Sequence, residues 1–457
     1  MTNRPRLRLA AVLSDYGMLI VLLALGGIFS AATITEHRPE GAAAGEQVAD
    51  LLFDQFEPHQ HVVVLAQNTE LDRAYAAALA AACESAERPL PTLLQGDPRT
   101  IRRGLEELAA ASRRIDVLAV TPAIRSWPLV ADLPREFPAL GRPVVLSPQP
   151  YRWPTFLKRD NLLNISNQIA EIAIVAVGMT VVIITGGIDL SVGSLIGLAA
   201  MIACLLIQDY GGGREAGVGA MTLSSLAGIG ACGLFGLFSG VMVTLFRVPP
   251  FVVTLGVMLA ARGLAGMLTG GAAAHLVPAA YTTFASGRLF GLPHAVWMMM
   301  ALYVVAHVLM SRTRLGRHIY AVGGNRLAAH LSGIPTHRVL LFAYVLSGLM
   351  AGLAGIVMAS RLKSANPTFG KSYELYVIAA VVVGGTSLAG GSGKILGTLI
   401  GALIIAVMQN GMNLLNGLKI VRIDDFGQDV VLGAVLLAAV VFDQVKRQGV
   451  RSWHRLE

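Results

Sequence analysis

The run Val177–Leu198, VGMTVVIITGGIDLSVGSLIGL, consists of two apolar stretches joined by the glycine pair Gly186 and Gly187 and by one carboxylate, Asp189. Glycines permit a tight or unwound connection, and irregular backbone survives at membrane depth only where protein or a cavity surrounds it. Asp189 and Ser191 stand where side-chain oxygens accept the free N–H groups that open the next helix. The same two residues are candidates for a substrate path or its gate. The rest of the 457 residues point the same way: 54% are hydrophobic, 14% are charged, and the mean hydropathy is +0.62. Soluble domains carry about a quarter charged residues, so this chain is a membrane protein. Its 50 glycines suit helices that approach closely in lipid. Cys83, Cys204 and Cys232 are too few and too scattered for a disulfide framework or a thiolate metal site, and no metal is expected.

Outward from that run, apolar stretches of span length recur. A first one, Tyr16 to Ala32, follows Arg4, Arg6 and Arg8, which the positive-inside rule places in the cytoplasm. A cleaved signal peptide is the competing reading of this stretch, since Ser30, Ala31 and Ala32 are small. Further helices are expected near Leu162–Ile184, Leu190–Ile207, Met221–Leu245, Phe251–Leu268, Ala295–Met310, Val339–Ser360, Tyr373–Val383, Ile395–Leu415 and Val430–Phe442. That makes about ten transmembrane helices, with Tyr373–Val383 short enough to be broken or re-entrant. An even count returns the C-terminus, with Lys446, Arg447, Arg451 and Arg455, to the cytoplasm. It also makes the loop 311–338 cytoplasmic, where Arg312, Arg314, Arg317, Arg326 and Arg338 occur without a carboxylate. The net charge of +8 therefore reports topology, not a nucleic-acid footprint.

The chain divides into a cytoplasmic N-terminus and first helix (1–33), an extracytoplasmic segment (34–160) and a transmembrane domain (161–457). Residues 34–160 carry about 31 charges and no span-length apolar run. Short aliphatic runs at His61–Gln67, Thr92–Leu94, Ile115–Val120 and Pro143–Leu146 alternate with amphipathic stretches at Leu71–Glu84 and Pro98–Ser112. This alternation predicts an inserted α/β domain with a small parallel sheet. The segments HVVVLAQNTELDRAYAAALAAACESA, LLQGDPRTIRRGLEELAAASRRIDVLAVTPA and GRPVVLSP resemble one lobe of ribose-type periplasmic sugar-binding proteins. That family's polar positions are replaced here by Asn68, Thr69, Glu70, Ala123 and Ile124, and half a clamp has no second jaw. A docking or scaffolding role is expected of the domain.

Val381–Ala402, VVVGGTSLAGGSGKILGTLIGA, repeats the first motif. Gly384, Gly385, Leu388, Gly391 and Ser392 match Gly186, Gly187, Leu190, Gly193 and Ser194 at a separation of about 198 residues, and Gly390 belongs to the same glycine set. Such an echo suggests duplicated halves with the pathway near their interface. The motif is not a phosphate-binding loop, because Leu388 replaces the first glycine and Ile395 replaces the metal-binding Ser or Thr. The chain therefore hydrolyses no ATP by that route. In the basic loop, NRLAAHLSGI reads as a short helix that Asn325 opens and Gly333 ends, suited to lie on the membrane or to dock a partner. Glu171 and Arg262 are costly within apolar spans, and either pair with each other or line the path. Gln409, Asn410 and Asn413 share a helix face that can hydrogen-bond sugar hydroxyls or knit helices together.

Taken together, GMTVVIITGGIDLSVGSLIGL, RVPPFVVTLGVMLAARGL, TRLGRHIYAVGGN, LSGI and VVVGGTSLAGGSGKILGTLIGA resemble the permease subunit of bacterial ABC sugar importers of the ribose, xylose and galactofuranoside type. The resemblance implies an inner-membrane homodimer of permeases seated on a separate ATPase subunit. ATP and magnesium belong to that partner, and no cofactor belongs to this chain. An extracytoplasmic sugar-binding protein would deliver the sugar. Asn325, Arg326, Ala328, Ala329, His330, Leu331 and Gly333 would form the coupling helix against the ATPase. Three departures from the family pattern stand out. Arg326, Leu327 and His330 alter the loop's charge, Glu171 occupies a position that is usually small, and Tyr376 and Val377 stand where an acid is usual. Rival readings are an ion-coupled secondary transporter, for which only Glu171, Asp189 and Arg262 are available at depth, and a membrane sensor using the outer domain as receptor.

Overall fold

The computed structural model describes residues 4–275 and 277–453, with side chains from residue 17 onward except at 276, 425 and 442–453. Arg455 and the side chains of Arg4, Arg6, Arg8, Lys446, Arg447 and Arg451 lie outside the described residues. The chain forms two units, one of which runs to Thr33 and resumes at Thr155 while the other spans Ile34–Pro154. The second boundary therefore falls at Pro154, ahead of residue 160. Hydrogen bonding explains the difference, because Thr155 N–H donates to the Thr33 carbonyl at 2.9 Å and Phe156 N–H to Thr33 Oγ1 at 3.1 Å. Phe156 also stacks on Phe29, in a cluster with Ile165 and Val407. Exit and return points of the helical unit thus touch each other.

Helix α1 (Arg4–Ala32) precedes the excursion. The inserted unit begins and ends in an antiparallel pair, β1 (Ile34–His37) with β6 (Tyr151–Pro154). Between them come α2 (Gly41–Gln55), β2 (Val62–Ala66), α3 (Glu70–Ser85), β3 (Thr92–Gln95), α4 (Pro98–Ala110), β4 (Val117–Val120), α5 (Pro122–Arg125), α6 (Pro128–Glu136) and β5 (Val144–Leu146). The sheet is parallel throughout, in the order β3-β2-β4-β5. Period-two alternation divides its residues between two cores: Val64, Ala66, Val117 and Ala119 face α2 and α3, while Val63, Leu65, Leu118 and Val120 face α4, α5 and α6. Helices on both faces are why these strands read as continuous apolar runs. The four strands lie on the runs marked in the sequence, whereas α2, α6 and the β1–β6 pair carry no such mark.

The helical unit continues through α7 (Arg159–Ile184), α8 (Val192–Asp209), α9 (Val218–Thr244), α10 (Pro250–Met267), α11 (Thr283–Ser286), α12 (His294–Arg312), α13 (Arg314–Gly324), α14 (Arg326–Leu331), α15 (Thr336–Leu362), α16 (Tyr373–Val383), α17 (Ile395–Gly417) and α18 (Asp425–Trp453). This is a polytopic membrane protein. Among the described residues, seven helices have the length and apolarity to cross a bilayer: α7, α8, α9, α10, α12, α15 and α17. The remaining apolar segments, Gly17–Ala32, Tyr373–Val383 and Phe426–Val441, are shorter. Of the about ten transmembrane helices expected, seven have span length among the described residues and three are represented by these shorter apolar segments. At 1.5 Å per residue α16 reaches about 16 Å, roughly half of a hydrocarbon core about 30 Å thick.

Within this unit α7 is central, with 89% of its apolar window buried, while α10 and α12 bury 28% and 33% and form the periphery. The tightest seam joins α9 to α15. Gly228, Cys232, Gly236 and Gly240 recur every fourth residue, and Gly348 and Gly352 face them. A Cβ on Gly236 would stand 2.3 Å from the Tyr344 carbonyl oxygen, and one on Gly348 2.3 Å from that of Cys232. Close backbone approach of this kind drives helix association in lipid. Gly348→Leu should force the seam open and cost about 1–3 kcal/mol or more, read as a lower unfolding midpoint of the purified protein.

Candidate translocation path and coupling site

Each glycine motif closes a broken connection between two helices. After α7 the chain turns at Gly186, whose φ of +81° is left-handed, and after α16 it turns at Gly385, φ +83°, one position past the residue that matches Gly186. The neighbours are glycines for reasons of space. A Cβ on Gly187 would stand 2.4 Å from Tyr344 Oη, one on Gly193 2.1 Å from Glu374 Oε2, and one on Gly384 2.6 Å from the Gly397 carbonyl oxygen. The two motifs, nearly two hundred residues apart in the chain, meet in space: Gly391 N–H donates to the Ile184 carbonyl at 2.9 Å, and Gly390 abuts Gly186.

Asp189 is 1% exposed. Its Oδ1 accepts from Ser191 N–H at 3.0 Å and from Ser191 Oγ at 2.6 Å, and its Oδ2 accepts from Ser347 Oγ on α15 at 2.7 Å. The carboxylate does take an N–H at the start of α8. Ser191, expected to share that role, makes no side-chain cap and instead donates its hydroxyl to Asp189. Three donors compensate the burial of one charge, which is what a carboxylate in this position requires. Ser347→Ala removes one of them and should cost about 1.5–3 kcal/mol, measurable as a lower thermal midpoint.

Glu171 is fully buried on α7, and its partner is not Arg262. Arg361, at the end of α15, donates from Nε to Oε1 at 2.8 Å and from Nη2 to Oε2 at 3.2 Å, and Tyr373 Oη of α16 donates to Oε2 at 3.1 Å. The fork geometry of the guanidinium suits a carboxylate, and three helices are tied at one point. Arg262, on α10, instead lies near enough to Glu374 at the start of α16 to interact with that carboxylate electrostatically, and its Nη2 is enclosed without a hydrogen-bond partner among the described residues. Asn410 and Asn161 exchange amide hydrogen bonds at 3.1 Å, linking α17 to α7. Asn413 Oδ1 accepts from Gln428 Nε2 of α18 at 2.7 Å. Gln409 Oε1, on the same helix, has no hydrogen-bond partner among the described residues. Arg361, Tyr373, Ser347 and Glu374 were not singled out in the sequence. A buried Glu171 demanded a cation at its own depth, and that requirement was the available signal.

The basic loop holds two helices where the sequence suggested one. α13 begins at Thr313, whose Oγ1 accepts from Gly316 N–H at 3.1 Å. Asn325 ends α13 and caps α14 by accepting from Ala328 N–H at 2.9 Å. Gly333, at φ +80°, turns the chain after α14. Ala329 is buried, whereas Leu327 and Leu331 are 70% and 79% exposed on the opposite face. Arg326, Ala328 and His330 complete the short helix.

Residues 161–440 match the family described as "Branched-chain amino acid transport system / permease component". The chain is 44% identical over 301 residues to the ribose import permease protein RbsC of Escherichia coli K12, covering 64% of this chain and 88% of the relative. It is 42% identical over 296 residues to RbsC of Bacillus subtilis 168, at 64% and 87% coverage. It is 35% identical over 299 residues to the L-arabinose transport system permease protein AraH of Escherichia coli K12, at 65% and 87% coverage. No solved structure matches the chain. Broken helices whose glycine turns meet, buried charges tied across three helices and a six-residue helix with exposed leucines are what residues 161–440 build, and the chain belongs to this family of transport permeases.

Proposed function

We propose that this chain is the permease subunit of an ATP-driven ABC importer for a monosaccharide, performing no covalent chemistry of its own. The observation that carries the reading is the 44% identity to a ribose import permease across nearly the whole of that relative. Arabinose as the substrate of AraH widens the class to small sugars without fixing one. ATP and magnesium act in a partner ATPase, and a separate binding protein delivers the sugar.

In this reading the membrane is the bacterial inner membrane, both termini and the loop 311–338 are cytoplasmic, and the inserted unit faces outward. α14 is the coupling helix, with Leu327 and Leu331 seated in the ATPase. Arg262 Nη2 and Gln409 Oε1, enclosed and without a hydrogen bond among the described residues, are the polar atoms assigned to sugar hydroxyls along the path. Glu171, Asp189, Ser191, Asn410 and Asn413 bound the path by holding its helices. Lipid and a second copy of the chain cover the open faces of α9, α10 and α12. The inserted unit docks the binding protein.

Reconstitution with the ATPase and binding protein should give vanadate-sensitive uptake of labelled ribose or arabinose that survives a protonophore. Leucine carried in place of both sugars would assign the chain to amino acid transport, and uptake that collapses with the proton gradient would assign it to ion coupling. Because Thr33 and Thr155 already touch, replacing 34–154 by a short linker should leave the helical unit folded. Uptake should then fall about tenfold or more at limiting binding protein through lost avidity. Unchanged uptake would remove the docking role.

A further inference from the structure

The junction between α14 and the membrane helices is made of backbone. Gly323, two residues before α14's cap, lies against the Ile184 carbonyl that ends α7, and a Cβ there would come within 1.7 Å of that oxygen. The same oxygen accepts the Gly391 N–H. A Cβ on Gly391 would stand 2.9 Å from Gly324 Cα, and one on Gly390 2.9 Å from the Gly323 carbonyl oxygen and 3.1 Å from Gly186 Cα. Tyr320, one turn earlier on α13, donates its hydroxyl to the Gly393 carbonyl at 2.8 Å. Five glycines from three segments thus meet without an intervening side chain. Asn325 serves as both the last cap of α13 and the first cap of α14, so little can bend between the junction and the short helix.

We infer that Gly323 and Tyr320 are positioning residues for transport, which lock α14 to both glycine turns so that a displacement of α14 moves the start of α8 and the start of α17 together. The inference rests on the proposed docking of the ATPase at α14. Side chains absorb small movements by changing rotamer, whereas backbone in van der Waals contact does not. Through one carbonyl, that of Ile184, the junction also joins the two halves that carry the repeated motif. A residue two positions from the cap of the docking helix therefore sets how far each broken connection opens.

The test compares the full complex with its Gly323→Ala and Tyr320→Phe variants by hydrogen exchange, before and after trapping with ATP and vanadate. No transported sugar is needed for this readout. In the unaltered complex, segments 320–331, 184–193 and 384–395 should all change, by about threefold or more in exchange rate. In the variants, 320–331 should still respond while both glycine segments lose most of the change, and uptake per ATP hydrolysed should fall about tenfold, within the usual range of coupling energies. Tyr320→Phe removes one hydroxyl and keeps the test meaningful should Gly323→Ala fail to assemble. Glycine segments that respond fully in Tyr320→Phe, or in a folded Gly323→Ala, would overturn the linkage. A silent 320–331 segment in the unaltered complex would overturn the docking on which it depends, a different and separately visible failure.

Discussion

Replacing Leu327 and Leu331 together by aspartate should reduce association with the partner ATPase by two orders of magnitude or more. The two side chains lie four residues apart on α14, hence on one face, and are 70% and 79% exposed in the isolated chain. Burying a leucine contributes about 1.5–3 kcal/mol, so the pair accounts for roughly 3–6 kcal/mol of binding. Carboxylates in their place forfeit that contribution and add a desolvation cost. At about 1.4 kcal/mol per factor of ten, the loss is roughly 100-fold to 10,000-fold in Kd. The permease should itself stay folded, because Ala329 on the buried face and the Asn325 cap are untouched. Co-purification and titration by surface plasmon resonance measure the effect. Binding within threefold of the unaltered chain would remove α14 as the docking element.

The second large effect is expected at Glu171. Glu171→Ala leaves the Arg361 guanidinium without its carboxylate, and breaking a buried pair from one side typically costs 3–5 kcal/mol. Arg361 keeps 30% of its side-chain exposure, so the lower end, about 3 kcal/mol, is the better figure. Tyr373 would also lose its acceptor. Substituting both partners, Glu171→Met with Arg361→Met, should recover most of the loss, since a well-packed apolar pair often replaces a buried ion pair without penalty. Unfolding midpoints of the two singles and the double form a complete cycle. If Glu171→Ala alone costs less than about 0.5 kcal/mol, the pair contributes nothing of structural weight.

The same pair shows how far the sequence reading reaches. Two of the three departures from the sugar-permease pattern noted there are an acid at Glu171 and a tyrosine at Tyr376 where an acid is usual. The structure brings them to one place. Glu171 receives Arg361 and Tyr373, and the Tyr376 ring stands 6.2 Å from that of Tyr373. Composition and periodicity said that a charge in α7 needed a partner, but the nearest basic residue by motif was Arg262. The actual partner lies 190 positions along the chain, at the end of a helix that reads simply as apolar. Asp189 and Ser191 were identifiable because their bond is local, two residues apart, while Ser347 was not, because nothing in α15 distinguishes it from a small packing residue. The amides of Asn410 and Asn413 were ambiguous in the sequence for the same reason: their chemistry fits sugar and helix alike, and only the tertiary structure gives them the helix partners Asn161 and Gln428.

By itself the sequence determined what depends on short range. Long apolar runs require a bilayer, glycine pairs require broken connections, alternating aliphatic and amphipathic stretches require a layered α/β insert, and a capped run of basic residues requires a short exposed helix. Tertiary structure alone decided which distant groups meet: Glu171 with Arg361, Gly391 with Ile184, and Gly323 against both glycine turns. The physical reason is that a helix fixes neighbours three and four residues away, whereas partners between helices are set by how whole faces pack. In lipid, where apolar side chains gain little by choosing one neighbour over another, that packing is governed by close glycine contacts and a few satisfied polar groups. Their pairing is not written in any local pattern.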